Sequence, residues 1–199
     1  MRKLSSSLML VTLILAGCSS SRQVSRVSSD NVTDLSGKWN DTDSRLVAEQ
    51  MVSSLTSRPW LDDFVSKNDK KPAVIVGTVR NLSSEHIETN TFISDIEREL
   101  VNSGKVTFVA SKQERKEVRE ERLDQQSNAT EESAKKLAAE TGADYILRGS
   151  IKDINDRVEG TEVKYYQVDL ELVDLQTNEK VWIDTKKIKK IVERSNYNW

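Results

Sequence analysis

Apolar positions along the chain recur with two periods, one helical and one of strands. After Asp41-Thr-Asp-Ser44, residues Leu46, Val47, Met51 and Leu55 fall at helical spacing, and Arg58-Pro59-Trp60 closes the run. Short acidic side chains accept the unpaired amides of a first helical turn, so Asp41 or Asp43 is expected to cap this leading helix. Pro59 has no amide to lose and suits the start of a short second turn carrying Trp60, Leu61 and Phe64. Pro72-Ala-Val-Ile-Val-Gly-Thr-Val79 is a continuous, β-branched apolar run, the pattern of a central strand covered on both faces. Phe92, Ile93, Ile96, Leu100 and Val101 line one stripe of an amphipathic helix that should stop near Asn102-Ser103-Gly104. Lys105 to Val109 reads as a short strand.

The second half begins with a highly charged helix from Ser111 to Gln126. Asn128, followed three residues later by Glu131, has the form of a capping box for another helix, with Ala134, Leu137 and Ala138 facing inward and Gly142 as its stop. Tyr145-Ile-Leu147 opens a strand that continues toward Ile154. From Val163 to Leu175, Tyr166, Val168, Leu170 and Leu172 alternate with Gln167, Asp169 and Glu171, which gives a strand with one polar face. Gln176-Thr-Asn178 turns into a last strand from Glu179 to Ile191. The order β-α-β-α-α-β-β-β behind a leading helix predicts an α/β fold: a single mixed β-sheet flanked by helices, about 160 residues long.

Ahead of this domain the pattern changes. Arg2 and Lys3 precede the apolar run Leu8 to Leu15, too short for a mature membrane span, and Leu15-Ala16-Gly17-Cys18 follows. This ending resembles a bacterial lipobox, which implies cleavage before Cys18, acylation of that cysteine and, with several acyl chains, stable attachment to a bilayer. Ser19 is not Asp, and the sorting rule of enteric lipoproteins then implies the outer membrane. Ser19 to Gly37 is Ser-rich without an apolar period and reads as a flexible tether, at most roughly 65 Å long. The expected division is residues 1–17 signal peptide, 18–38 lipidated Cys and tether, 39–192 α/β domain and 193–199 aromatic tail.

Charge narrows the functions open to such a chain. The 199 residues carry 30 basic and 32 acidic side chains, a formal charge of −2, so no basic excess exists to neutralise nucleic-acid phosphates. One Cys excludes an internal disulfide, and one Cys with one His cannot complete a structural zinc site. With seven Gly, no phosphate-cradling loop is present. No metal, cofactor or small-molecule substrate is expected beyond the lipid on Cys18.

Four segments, Gly37-Lys-Trp-Asn-Asp-Thr-Asp-Ser-Arg-Leu-Val47, Pro72-Ala-Val-Ile-Val-Gly77, Asn102-Ser-Gly-Lys-Val106 and Thr141-Gly-Ala-Asp-Tyr-Ile-Leu-Arg-Gly-Ser150, together resemble the LpoB family of lipoprotein activators of penicillin-binding proteins. The resemblance covers roughly Trp39 to Ile191. It implies a fold similar to the amino-terminal domain of TolB and an outer-membrane lipoprotein with its domain in the periplasm. It further implies contact with a bifunctional penicillin-binding protein whose peptidoglycan synthesis is stimulated, and it brings no catalytic residue. The tether is shorter and poorer in Pro than in enteric members. Two alternatives stay open: a lipoprotein of an envelope assembly or secretion system, and a peptidoglycan-modifying enzyme.

The chemistry for an enzyme is thin. His86 has Glu85 and Glu88 beside it but no nucleophile. Ser133-Ala-Lys-Lys136 has the Ser-x-x-Lys spacing of penicillin-binding enzymes without the Ser-Asp-Asn and Lys-Thr-Gly partners. Asp62-Asp63 and Glu131-Glu132 are adjacent pairs, which diverge by about 100° on a helix and frame no cleft. A candidate partner surface is clearer. Lys112, Arg115, Lys116, Arg119 and Arg122 fall within an arc of about 120° on the charged helix, opposite Glu114, Glu117, Glu120 and Glu121. Favourable Glu-to-Lys pairs at four-residue spacing are missing. This segregation suits docking against an acidic patch on a partner or against anionic envelope polymer. Trp60 and Trp182 lie within apolar patterns and are expected in the core, whereas Trp39 and the Asn196-Tyr-Asn-Trp199 tail are lids or contact residues.

Overall fold

The computed structural model describes residues 24–29, 31–127 and 142–193. The chain divides into two units, Met1–Asn31 and Val32–Trp199. Described residues of the first are exposed, with one turn in which the Asn31 N–H donates to the Ser28 carbonyl oxygen at 3.1 Å. The second carries the helices and strands.

Helix α1 (Asp41–Leu55) is capped by neither expected aspartate but by Asn40. The Asn40 backbone is extended, so its side chain folds over the first turn and accepts the Asp43 N–H at 3.1 Å, while the Asp43 carboxylate accepts the Asn40 N–H at 3.0 Å. The buried stripe is Val47, Ala48, Met51, Val52 and Leu55, and Leu46 lies just outside it, exposed. Helix α2 (Pro59–Asn68) starts on Pro59 as its ring geometry favours. Trp60 and Leu61 are buried, and the Trp60 indole N–H donates to the Leu55 carbonyl at 2.8 Å, fixing the corner between the helices.

Strand β1 (Ala73–Asn81) leads to α3 (Thr89–Ser103), which buries Phe92, Ile96 and Leu100 and ends at Gly104 as the sequence predicts. Strand β2 (Thr107–Phe108) and helix α4 (Lys112–Ser127) follow. The meander then comprises β3 (Tyr145–Val158), β4 (Thr161–Asp174) and β5 (Lys180–Glu193). Glu159 and Gly160, both at positive φ, make the two-residue turn between β3 and β4 that matches strand twist. The helix expected from Asn128, with Ala134, Leu137 and Ala138, lies outside the described residues, as do Cys18, Ser19 and residues 194–199.

All five strands join one mixed sheet, ordered β2-β1-β3-β4-β5. β1 is parallel to β2 and β3, and β3, β4 and β5 are antiparallel. Helices α1 and α3 pack together, α1 against β5 and α3 against β1. Beneath them lie Val74, Val76, Leu147, Ile151, Tyr166, Val168, Leu170, Leu172 and Trp182. Each such side chain contributes roughly 1.5–3 kcal/mol by leaving water.

Strand β1 departs from its expected burial on both faces. A register shift between Val76 and Val79 takes Gly77 and Thr78 out of alternation. Val74, Val76 and Val79 are buried, Ile75 is half-buried and Thr78 is exposed. Nor is β1 the middle strand. The two-residue β2 bounds it on one side, and β3 holds the centre.

Candidate interaction surface

Residues 32–38, which composition assigns to the tether, belong to the folded unit. Gly37 is buried with φ +67°, and a Cβ there would collide with the Val192 side chain, so the close approach to β5 requires glycine. Trp39 is half-buried and stands edge-on to Phe92, with centroids 6.0 Å apart, and to Tyr166 at 5.7 Å. Its indole N–H donates to Ser44 Oγ at 2.9 Å and its backbone N–H to the Glu85 carboxylate at 3.2 Å. Trp39 therefore acts as an internal clamp in this structure.

Glu85 gathers a buried network missed in the sequence. Lys164 Nζ donates to it at 2.6 Å and the Tyr166 hydroxyl at 2.9 Å. Burial works to raise the Glu85 pKa, but these donors and the Trp39 N–H together outweigh it and hold the carboxyl below its ordinary value. Burial, then the Glu85 carboxylate, push the Tyr166 hydroxyl far up. The legible signal was Lys164 itself, placed in the same strand parity as Tyr166, Val168, Leu170 and Leu172. A lysine on an inward face demands a buried partner. A second clamp centres on Lys190, whose Nζ donates to Asp34 and Asp43, each at 2.6 Å, and to the Lys38 carbonyl at 3.2 Å. Burial opposes the Lys190 charge, yet the two carboxylates raise its pKa.

Of the sequence-predicted stripe on α4, Lys116 and Arg119 are exposed. Arg115 is half-buried, its Nε sealed from water without a hydrogen-bond partner. The Lys112 and Arg122 side chains lie outside the described set. Lys116 Nζ lies 3.9 Å from Glu120, so the two signs meet at the edge of the stripe. Ser111 and Glu114 start the helix: the Ser111 N–H donates to the Glu114 carboxylate at 2.7 Å, and Ser111 Oγ accepts the Glu114 N–H at 3.4 Å.

On the sheet face opposite α1 and α3, a groove of about 650 Å³ is lined by Thr78, Arg80, Arg148, Lys152, Asp169 and Glu171 among others. Cross-strand register sets its ion pairs. Arg148 and Lys180 each reach Glu171 at 2.7 Å, and Lys152 reaches Asp169 at 2.8 Å. Lysine hydrogen bonding and charge hold the Glu171 carboxyl below its ordinary value; at Asp169 the same effects overcome the opposing pull of burial. The alternation of Gln167, Asp169 and Glu171 announced this polar face, but not the basic side chains that β1, β3 and β5 bring to it.

His86 is exposed, as are Asp62 and Asp63 on α2. Glu131-Glu132 and Ser133-Ala-Lys-Lys136 lie outside the described residues. Among the described residues no three His, Cys, Asp or Glu side chains gather as metal ligands, and no helix is long and apolar enough to cross a membrane.

The fold is thus a mixed α/β domain whose prominent features are charged and apolar surfaces. The model of the peptidoglycan-synthase activator LpoB family matches residues 43–188, from the first turn of α1 into β5, and the chain belongs to that family. Solved structures similar to it include the LpoB C-terminal domain of Salmonella enterica, at 22% identity, covering 66% of this chain and 94% of that one with a TM-score of 0.35. The LpoB C-terminal domain of Escherichia coli is 17% identical over the same shares, with a TM-score of 0.38. The lipoprotein GNA1162 of Neisseria meningitidis is 17% identical, covering 63% and 88%, with a TM-score of 0.37. The comparison with curated proteins returns no match.

Proposed function

We propose that this chain is an outer-membrane lipoprotein, held by acyl groups on Cys18 with Ser19 as its sorting residue, whose periplasmic domain binds and activates a bifunctional penicillin-binding protein. Its role is regulatory, and the activity belongs to the synthase. The observation that carries this reading is the family match across nearly the whole folded unit. The contact is assigned to α4, where Lys116 and Arg119 present exposed positive charge suited to an acidic patch. Arg115 supports the stripe from a half-buried position, and Lys112 and Arg122 extend it along the helix. Trp39 holds the leading segment in place rather than meeting the partner.

The test is a pull-down of the chain with detergent-solubilised envelope, followed by glycan polymerisation assays on the recovered synthase. Recovery of the synthase with faster polymerisation is expected, and Lys116→Glu/Arg119→Glu should weaken binding about tenfold at low salt while the fold persists. Unchanged affinity would remove α4 from the interface. A second reading, a lipoprotein of an outer-membrane assembly, draws support from reach. With the folded unit starting at Val32, the leash from Ser19 spans at most about 45 Å. Recovery of outer-membrane proteins with no effect on polymerisation would favour it.

A further inference from the structure

Past Ile151 the meander continues as an arm whose two faces differ. On its inner face Lys164, Tyr166 and Lys190 are engaged by Asp34, Gly37, Asp43 and Glu85. Its outer face carries Ile154, Val158 and Ile191, 66%, 67% and 64% exposed. Register places Ile154 opposite Tyr165, and Val163 opposite Ile191, with both β4 residues half-buried between their neighbours. These cross-strand pairs, with Val158 on the diagonal from Val163 and Asp156 between Ile154 and Val158, make an apolar patch over three strands. Lys187 and Lys189 border it on β5, exposed and without an ion pair among the described residues, while Asp156 and Glu193 are the carboxylates on this part of the face.

An apolar patch with an aromatic ring, edged by lysines without an ion pair among the described residues, matches the chemistry of a phospholipid interface, where apolar tips enter the acyl boundary and ammonium groups meet headgroup phosphates. The leash brings such a surface within reach. Asp34 is tied to Lys190 and the Gly37 carbonyl to Tyr166, so the chain leaves the folded unit alongside this arm. Residues 19–31 then span at most about 45 Å to Cys18. A short link of this length holds a weak site at roughly millimolar effective concentration of its target. We propose that the outer face of the arm, through Ile154, Val158, Val163, Tyr165 and Ile191 with Lys187 and Lys189, rests on the anionic phospholipid bilayer to which the chain is attached. This rests on the Cys18 anchor proposed above. The contact fixes which side of the domain faces the periplasm.

The test uses the isotope-labelled mature chain from Cys18, coupled through its sole thiol to maleimide phospholipid in nanodiscs of phosphatidylethanolamine and phosphatidylglycerol carrying gadolinium headgroups. Amide signals of Ile154, Val158, Val163, Lys189 and Ile191 should broaden far more than those of Asp62 and Lys67 on α2. Lys187→Gln/Lys189→Gln should lower the seated-to-free ratio roughly 25-fold, at about fivefold per lysine, with core amides such as Leu170 unshifted. Discs of phosphatidylcholine alone should abolish the bias. Equal broadening at all sites, or broadening centred on another face, overturns the proposal. So does a bias indifferent to phosphatidylglycerol that disappears when a bifunctional penicillin-binding protein is added, which would make the patch a protein contact. Maleimide coupling makes this readout independent of acylation. A native Cys18 peptide lacking acyl mass would defeat the anchor alone.

Discussion

Lys164 is 5% exposed on the inward face of β4, and its ammonium is tolerable there because Glu85 lies 2.6 Å away. A buried pair of this kind adds little net stability over apolar residues, but breaking it strands a charge. Lys164→Met is therefore expected to destabilise the domain by about 3 kcal/mol. Adding Glu85→Gln should restore most of that loss, a recovery that urea denaturation of the double variant would read. If the double variant were as unstable as the single, packing rather than charge would explain Lys164. The same site sets an acid response. Glu85 has a folded pKa below its ordinary 4.5, so its contribution is present above the unfolded value and is lost as pH falls through the lower folded one. Asp43, which burial pushes up, contributes with the opposite sign. Comparing urea midpoints of the native chain and Glu85→Gln between pH about 5 and about 3 isolates Glu85: the native chain should lose its advantage across that window.

At the scale of elements, legibility followed how much of a signal is local. Helix α3 was readable because Phe92, Ile96 and Leu100 and the glycine that stops it sit in one continuous stretch, and β4 because each inward residue alternates with a polar one. The α1 cap was misplaced because Asn, Asp and Ser side chains all accept a first-turn amide, and only the extended backbone at Asn40 decides among them. Asn40→Ala should cost about 1 kcal/mol, whereas Asp41→Ala should leave the thermal midpoint nearly unchanged. Equal losses would mean that Asp41 shares the cap. β1 was overread, since an apolar run looks the same whether one face or two are covered, and the register shift at Val76 depends on its partner β3. On α4 the charges were legible, but the half-burial of Arg115 was not, because the spacing of charges along a helix does not report how far each side chain is covered. The Glu85 network spans residues 37 to 166, a separation that local pattern does not see, although Lys164 marked one end of it.

For the whole molecule, the boundary between leash and domain matters most, because it sets both stability and reach. Composition places that boundary at Trp39, since residues 32–38 lack an apolar period. Asp34, Gly37 and Lys38 nonetheless make polar contacts and one close glycine approach to the strands, neither of which periodicity detects. A chain starting at Trp39 would lose the Asp34 carboxylate and Lys38 carbonyl from Lys190 and the Gly37 carbonyl from the Tyr166 hydroxyl. It would also uncover Val192, against which Gly37 lies. Asp34 is 42% exposed, so solvent screens part of its pairing with Lys190. The expected loss relative to a chain starting at Val32 is therefore about 1–2 kcal/mol, read as a lower urea midpoint at unchanged slope. Asp34→Ala in the longer chain should reproduce part of it. Equal midpoints for the two chains would return residues 32–38 to the proposed leash, lengthening its reach to roughly 65 Å and easing the proposed contact with a synthase. A lower midpoint at Trp39 keeps residues 32–38 with the domain, and under the proposed anchoring at Cys18 the domain would then meet the proposed partner close to its membrane.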